Sequence, residues 1–199
     1  TERKSGNGYL GFNVHADAAV TLEEDLARRD LTINAMAIQV NGLFDSGFKQ
    51  GKFDALDIID PYGGLADIEQ KKLRHVSAAF TEDPVRVLRL ARFASRYAPL
   101  GFTVDESTAK LTSQMKAAGE LSHLVAERVW SETSKALTQA WSDIYFETLY
   151  QLNVLDVIMP KLYQASNDNP KQWQLMLSAL RMAGEQQADN LIKFALVAT

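Results

Sequence analysis

The chain has 199 residues, of which 46% are hydrophobic, and this size suits one large or two small globular domains. It contains no cysteine, which excludes disulfides, thiolate zinc sites and cysteine nucleophiles. The histidines are too far apart in the sequence to predict an imidazole metal site: His15, His75 and His123. Since it has no apolar run of eighteen residues and no signal-peptide pattern, we expect a cytoplasmic protein that does not contact a membrane.

The net charge of −4 is distributed unevenly along the chain. Residues 71–96 carry seven Lys and Arg against two Asp and Glu, whereas the segments on either side are acidic. A short basic block in an acidic protein is typical of a local phosphate site, and also of a solvated charged face.

The first residues contain "GNGYLG" (6–11), which matches the dinucleotide-binding pattern G-x-G-x-x-G. That pattern binds pyrophosphate only when a strand leads into the glycines and a helix follows them. Upstream, "TERKS" does not predict a strand, and downstream "FNVHA" (12–16) alternates like one. We therefore expect a glycine-rich loop with a basic lead-in.

The next segments predict short helices and strands. Thr21 and Glu24 form a capping box for a helix over 21–29, and cap-type residues open the segment "DLTINAMAIQV" (30–40). Two apolar stretches, 37–44 and 53–59, flank "SGFKQGK" and predict a long hairpin with a polar tip, so that 43–57 would form an exposed extension. The sequence "DPYGG" (60–64) predicts a turn in which both glycines supply positive φ.

From about residue 81 the spacing of apolar residues becomes helical. Asp83 followed by proline predicts the start of a helix, and further helices are expected over 105–118, 124–140 and 142–155. Pro160 and "SNDNP" (166–170) are expected to break the chain before a last helix from about residue 171. A small α+β part followed by an all-helical part is the predicted architecture.

Arginines occur at intervals of three, three and four residues in the first of these helices: Arg86, Arg89, Arg92 and Arg96. This spacing places them along one face, where like charges repel by a few tenths of a kcal/mol per pair, so an anionic partner is expected. The partner would be acidic side chains or a bound phosphate. Asp83, one turn before Arg86, adds a hydrogen-bond acceptor beside a bidentate donor. Such a pair can recognise a base edge, although a helix cap with an internal ion pair explains the pattern too.

A second polar cluster, Arg28-Arg29-Asp30, stands at a helix junction. Two adjacent arginines there could bind a triphosphate, or could pair with the neighbouring acids Glu23, Glu24 and Asp25.

Taken together, "RRDLTINAMA" (28–37), the stretch from "IIDPYGG" to "RLARF" (58–93) and "ERVWSE" (127–132) resemble the bacterial CCA-adding tRNA nucleotidyltransferases. That class, class II, includes the bacterial poly(A) polymerases. The resemblance implies an α+β fold in which residues 1–80 are the C-terminal part of a polymerase-β-like nucleotidyltransferase head. Residues 81–140 would form a helical neck with the nucleotide-base pocket, and residues 141–199 a helical body.

The resemblance also implies a function, namely template-independent addition of CCA to tRNA 3′ ends from CTP and ATP with Mg²⁺. By their match to the family's motifs, Arg29 would contact the nucleotide phosphates with Arg28 beside it. Asp83, Arg86, Arg89 and Arg92 would form the pocket for the incoming nucleotide. The family's metal-binding D-x-D pair has no counterpart here, so no catalytic or metal-binding residue is assigned. We expect an internal piece of a longer enzyme, inactive by itself.

Two alternatives remain at this point. One is a poly(A) polymerase of the same class, and the other is a non-catalytic helical module that binds RNA or a nucleotide.

Overall fold

The computed structural model describes residues 2–3, 12–13, 20–38 and 58–198. At the start, strand β1 (Glu2–Arg3) pairs antiparallel with β2 (Phe12–Asn13). The strand at Phe12 agrees with the prediction for "FNVHA", whereas the one at Glu2 was not predicted. Because the chain continues into a strand at Phe12, the helix that a dinucleotide site requires does not follow the glycines there.

Helix α1 (Leu22–Ala27) begins with the predicted capping box between Thr21 and Glu24. A 3₁₀ turn (Thr32–Asn34) leads into β3 (Ala37–Ile38), which pairs antiparallel with β4 (Ile58–Ile59). Ala37 lies opposite Ile59, so the two ends of the predicted hairpin do meet. Its remainder, including 43–57, lies outside the described residues and stays a prediction.

Helix α2 (Gly64–Glu69) was missed by the sequence analysis. Asp60 holds its first turn, since its two carboxylate oxygens accept from the amides of Gly64 at 2.7 Å and Leu65 at 2.9 Å. Gly63 has the predicted positive φ of 75°, but the same prediction for Gly64 is wrong. A Cβ at Gly64 would collide with the carbonyl oxygen of Thr32, so this glycine is required for close packing.

Helix α3 (Val85–Tyr97) follows β5 (Lys72–Leu73) and a 3₁₀ turn (Ala78–Glu82). The backbone of Asp83 is extended, and its side chain accepts from the amide of Val85 at 3.1 Å, which confirms the predicted cap. After α3 the chain enters β6 (Thr103–Val104), which pairs parallel with β5.

The rest of the chain is helical. Helices α4 (Glu106–Ala117), α5 (Ala126–Leu137) and α6 (Asp143–Gln151) lie within the predicted segments, followed by α7 (Leu155–Ile158), α8 (Pro160–Asp168), α9 (Pro170–Glu185) and α10 (Asn190–Ala198). The predicted breaks are confirmed, since one helix ends before Pro160 and another ends before Asn169, and a helix begins at Pro170, close to the expected residue 171. That helix is not the last one, contrary to the prediction, because α10 follows it, and helix α8 between the two breaks was not predicted. Proline fits at the start of α8 and α9, since the first helical position needs no N–H donor.

A continuous apolar core connects the two parts. It includes Leu31, Leu73 and Phe80 from the α+β part and extends through α3 to Tyr145 and Trp173 of the helical part. The α+β class is thus confirmed, while the domain boundaries at 80 and 140 stay predictions. Within the described ranges, no helix has the length and apolar character needed to cross a bilayer.

Candidate functional site

An open cleft of about 800 Å³ lies where the junction after α1 faces helices α3 and α5. Five of the six predicted nucleotide-binding residues line it: Arg28, Arg29, Asp83, Arg86 and Arg89. The remaining lining residues are Asp30, Asn34, Val85, Phe93, Arg96, Tyr97, Arg128, Ser131 and Glu132. Six arginines therefore face three carboxylates, and this excess of positive charge favours an anionic ligand.

Asp83 is held from two sides. Arg128 of α5 donates to both of its oxygens, to Oδ1 at 3.0 Å and to Oδ2 at 2.8 Å, and the amide of Val85 also donates to Oδ1. This bidentate geometry fixes the plane of the carboxylate. Arg86 was expected beside Asp83, and both residues line the cleft, but the arginine that hydrogen-bonds to Asp83 is Arg128.

Arg86 connects α3 to the α+β part through backbone carbonyls. Its two terminal nitrogens donate to the oxygens of Ala79 at 2.6 Å and Arg28 at 2.7 Å. Burial lowers the pKa of Arg86, while the nearby Asp83 acts in the opposite direction. The guanidinium stays charged at any ordinary pH, and two of its five N–H donors are used in these bonds.

Asp30 and Arg89 form a second connection between the parts. The Nε and a terminal nitrogen of Arg89 lie 2.7 Å and 2.6 Å from Oδ2 of Asp30, whose side chain is only 6% exposed. Oδ1 accepts from the Leu31 amide and the Asn34 side chain. Burial by itself raises the pKa of Asp30, but Arg89 and these hydrogen bonds outweigh it, so the pKa lies below its ordinary value.

Arg92 is the one predicted site residue that the structure does not bring to the cleft wall. Its Nε donates to Glu132 of α5 at 2.6 Å, and its guanidinium lies 4.6 Å from the centre of the Phe93 ring. Glu132 also accepts from Lys135 at 2.9 Å. The expected anionic partner of this arginine is therefore an acidic side chain.

Arg28 and Arg29 also have acidic neighbours. Arg28 lies 3.5 Å from Glu82, and Arg29 lies 2.9 Å from Asp25. Since the Arg29 side chain is 53% exposed, its surface pair contributes little and leaves the guanidinium accessible to a ligand.

Several cleft residues were missed by the sequence analysis. Arg128 belongs to the quoted motif "ERVWSE" but was given no role, and its pairing with Asp83 across 45 positions has no signal in local spacing. Arg96 was counted in the arginine row without a function. Nothing in the sequence marked Phe93, Tyr97 or Ser131 as cleft residues.

No described residues provide a ready metal site. Within 20–38 and 58–198, His, Asp and Glu side chains form no group of three or more that could hold an ion.

Comparison with protein families gives two matches. The model described as the poly A polymerase head domain matches residues 4–74, and that described as the probable RNA- and SrmB-binding site of polymerase A matches residues 101–165. A CCA-adding enzyme from Marinobacter nauticus is 46% identical over 195 residues, which are 98% of this chain and 47% of that protein. The chain thus spans about half the length of this relative.

Solved structures agree with these matches. A tRNA nucleotidyltransferase in complex with a primer tRNA and an incoming ATP analogue is 31% identical, with a TM-score of 0.62 over 88% of this chain and 48% of that one. A CCA-adding enzyme in complex with CTP is 30% identical, with a TM-score of 0.56 over 70% of this chain and 31% of that one.

Proposed function

Because the chain belongs to the nucleotidyltransferase family of the CCA-adding enzymes and bacterial poly(A) polymerases, we propose that the protein adds C, C and A to tRNA 3′ ends. The substrates would be CTP, ATP and tRNA, and no nucleic-acid template would be used. The observation that carries this proposal is the 46% identity to a CCA-adding enzyme over 98% of the chain. The proposal includes the cytoplasmic location expected of the protein.

Asp83 and Arg86 would recognise the base. Cytosine and adenine present an amine donor beside a ring-nitrogen acceptor, whereas uracil and guanine present a carbonyl beside a ring N–H. Oδ1 of Asp83 already accepts two bonds and Oδ2 accepts one, so Oδ2 has a lone pair left for the amine. Arg86 retains three N–H donors for the ring nitrogen. With U or G both contacts invert and leave polar groups unpaired.

The triphosphate would lie against the other cleft arginines. Arg29 is accessible, and Arg89 is held in place by the buried Asp30, so both can donate to phosphate oxygens. Arg28 adds positive charge beside them. Arg92 would act through Glu132 and the packing of Phe93, since its side chain is only 12% exposed.

In the proposed reaction, the terminal 3′-hydroxyl of the RNA attacks the α-phosphate of the nucleotide. A new phosphodiester bond forms, the bond to the β-phosphate breaks, and pyrophosphate leaves. The described residues provide no ligand set for the Mg²⁺ that the family resemblance implies. We therefore propose magnesium as a cofactor that is bound by residues outside the described ranges.

A poly(A) polymerase is the second candidate, since both matching family models are named after polymerase A. Incubating the intact protein with tRNA that lacks its last three nucleotides, with each NTP singly and with CTP and ATP together, separates the candidates. CCA addition predicts two CMP additions with CTP alone and completion by a single AMP. Long AMP tracts would indicate a poly(A) polymerase, and no incorporation with retained nucleotide binding would indicate a non-catalytic module.

A further inference from the structure

Arg89, which the proposed function places against the triphosphate, is bound to Asp30 in a way that leaves one rotation open. Its Nε lies 2.7 Å and a terminal nitrogen 2.6 Å from the same carboxylate oxygen, Oδ2. Arg128 differs, because it donates to both oxygens of Asp83 and so shares a plane with that carboxylate. Two bonds that meet at one oxygen hold the Arg89 guanidinium in place, but its plane can still turn about that oxygen.

The ring of Phe93 lies next to this guanidinium. Phe93 follows Arg89 by one turn of α3, and the Cζ of Arg89 lies 5.7 Å from the ring centre. A guanidinium within about 6 Å of an aromatic face is attracted by the ring quadrupole, so the ring favours the orientations of Arg89 that keep this contact. Because the Arg89 side chain is 38% exposed, the water around it would not restrict its orientation.

The Phe93 ring is held firmly by its own contacts. Phe93 is only 7% exposed, and the Tyr97 ring stacks on it with an angle of 5° between the planes. The Cζ of Arg92 lies 4.6 Å from the centre of the same ring, and this arginine is bound in turn to the buried Glu132. Since these contacts immobilise the ring, it offers Arg89 a fixed surface at the wall of the cleft.

We propose that Phe93 is a positioning residue for the triphosphate. Asp30 fixes where the Arg89 guanidinium lies, and the Phe93 ring fixes the plane in which its remaining N–H donors point into the cleft. Donors that are already oriented bind phosphate oxygens more tightly, because less side-chain freedom is lost on binding. The inference rests on the proposed function, which assigns Arg89 to the phosphates, and adds to it a residue that carries no charge and donates no hydrogen bond.

The test separates binding of the phosphates from binding of the base. In the intact protein, without RNA, Phe93→Leu removes the ring and keeps an apolar side chain. The affinity for CTP should fall about five-fold, whereas the affinity for cytidine, measured as a competitor, should stay unchanged. Phe93→Met should behave in the same way. An equal loss for CTP and cytidine would overturn the proposal, because Phe93 would then support the pocket as a whole.

A double-mutant cycle with Arg89→Ala tests whether Phe93 acts through this arginine. Arg89→Ala should itself weaken CTP binding, and adding Phe93→Leu should then cause little further loss. A further loss as large as the one in the wild-type background would contradict the proposal. If Arg89→Ala binds CTP as the wild type does, the phosphate contact in the proposed function is itself wrong, and the inference falls with it.

Phe146→Leu is the matched control. Phe146 is a fully buried residue of α6 whose ring contacts Tyr145, and it lies away from the cleft. The same substitution there should lower thermal stability and leave the CTP affinity unchanged. A loss of CTP affinity equal to that of Phe93→Leu would count against a specific role for Phe93 and overturn the proposal. Because binding is measured without catalysis, these outcomes do not depend on whether the intact protein adds CCA.

Discussion

Arg128 of α5 donates to both carboxylate oxygens of Asp83 and so fixes the residue that caps α3. The pair is partly buried, with 28% of the Arg128 side chain and 17% of the Asp83 side chain exposed. A carboxylate held in one plane keeps its free lone pair in one direction. The base recognition proposed for Asp83 would therefore depend on an arginine that need not touch the nucleotide.

Arg128→Ala is expected to reduce the preference of the intact protein for CTP and ATP over UTP and GTP. Without its two charge-assisted bonds, Asp83 can rotate and accept from other donors. We expect the ratio of kcat/KM values between correct and incorrect nucleotides to fall at least about ten-fold, which corresponds to about 1.4 kcal/mol. Steady-state kinetics with the four nucleotides measures this ratio.

Arg181→Ala provides a control for loss of a buried ion pair as such. Arg181 binds both oxygens of Asp143 at 2.9 Å and 2.6 Å, with a similar exposed fraction of 25%, but lies away from the cleft. Both variants should lose thermal stability, and only Arg128→Ala should lose selectivity. Equal selectivity in the two variants would contradict the role given to Arg128.

Arg86→Ala is expected to affect selectivity and stability together. The variant removes the proposed donor to the base and also leaves the carbonyls of Ala79 and Arg28 without their partner. Both acceptors are partly buried, and since a fully buried unsatisfied acceptor costs about 1–3 kcal/mol, the free energy of unfolding should fall by an amount near the lower end of this range in denaturant titrations. Discrimination among the four nucleotides should fall far more than triphosphate affinity does. If the variant keeps its preference for CTP and ATP while it binds every nucleotide less well, Arg86 does not recognise the base. The cleft arginines would then only attract the negative charge of the triphosphate.

The sequence predicted the parts of this molecule that depend on local signals. The caps at Thr21 and Asp83 and most of the helices have short-range causes, namely a side chain bonded to an amide two or three residues later and regular apolar spacing. The turn glycine Gly63 has the same kind of cause. Gly64 does not, because its role depends on Thr32, which lies more than thirty residues away.

For the site too, the sequence predicted the features with local causes and missed those that depend on tertiary contacts. The arginine spacing and the motif resemblance identified five residues that line the cleft. Their partners come from other elements: Arg128 for Asp83, Asp30 for Arg89 and the carbonyl of Arg28 for Arg86. These pairings are set by tertiary packing, so no spacing rule on a single helix could have distinguished Arg92, which turns to Glu132, from its neighbours.

Stability should fall in acid, and Asp30 should account for part of the loss. Because its folded pKa lies below the ordinary value of about 3.9, Asp30 contributes stability above that pH. This contribution is lost as the pH falls through the folded pKa. Denaturant unfolding between pH 7 and pH 2.5 should therefore show a smaller acid loss for Asp30→Asn than for wild type. The pKa values of Glu132 and Asp105 are also lowered, so these two carboxylates should account for part of the stability that the Asp30→Asn variant still loses in acid.

The control for that measurement is Asp25→Asn, which removes a carboxylate from an exposed pair with Arg29. Its acid dependence should match that of wild type, since exposed pairs contribute little. An Asp30→Asn variant with the wild-type acid dependence would contradict the assignment.

Gly184→Ala should lower the free energy of unfolding, although helix propensity favours the opposite. Within α9, replacing glycine by alanine would by itself stabilise the helix by about 1 kcal/mol. In the folded protein, however, the added Cβ would overlap the carbonyl oxygen of Ala140 and lie 2.7 Å from its carbonyl carbon. Backbone atoms cannot move aside as a flexible side chain can, so we expect a net loss of about 2–3 kcal/mol in denaturant unfolding.

Ser178→Ala, at an exposed position of the same helix, should instead be neutral or slightly stabilising. A gain in stability for Gly184→Ala would show that α9 does not pack as closely against residue 140 as the structure indicates.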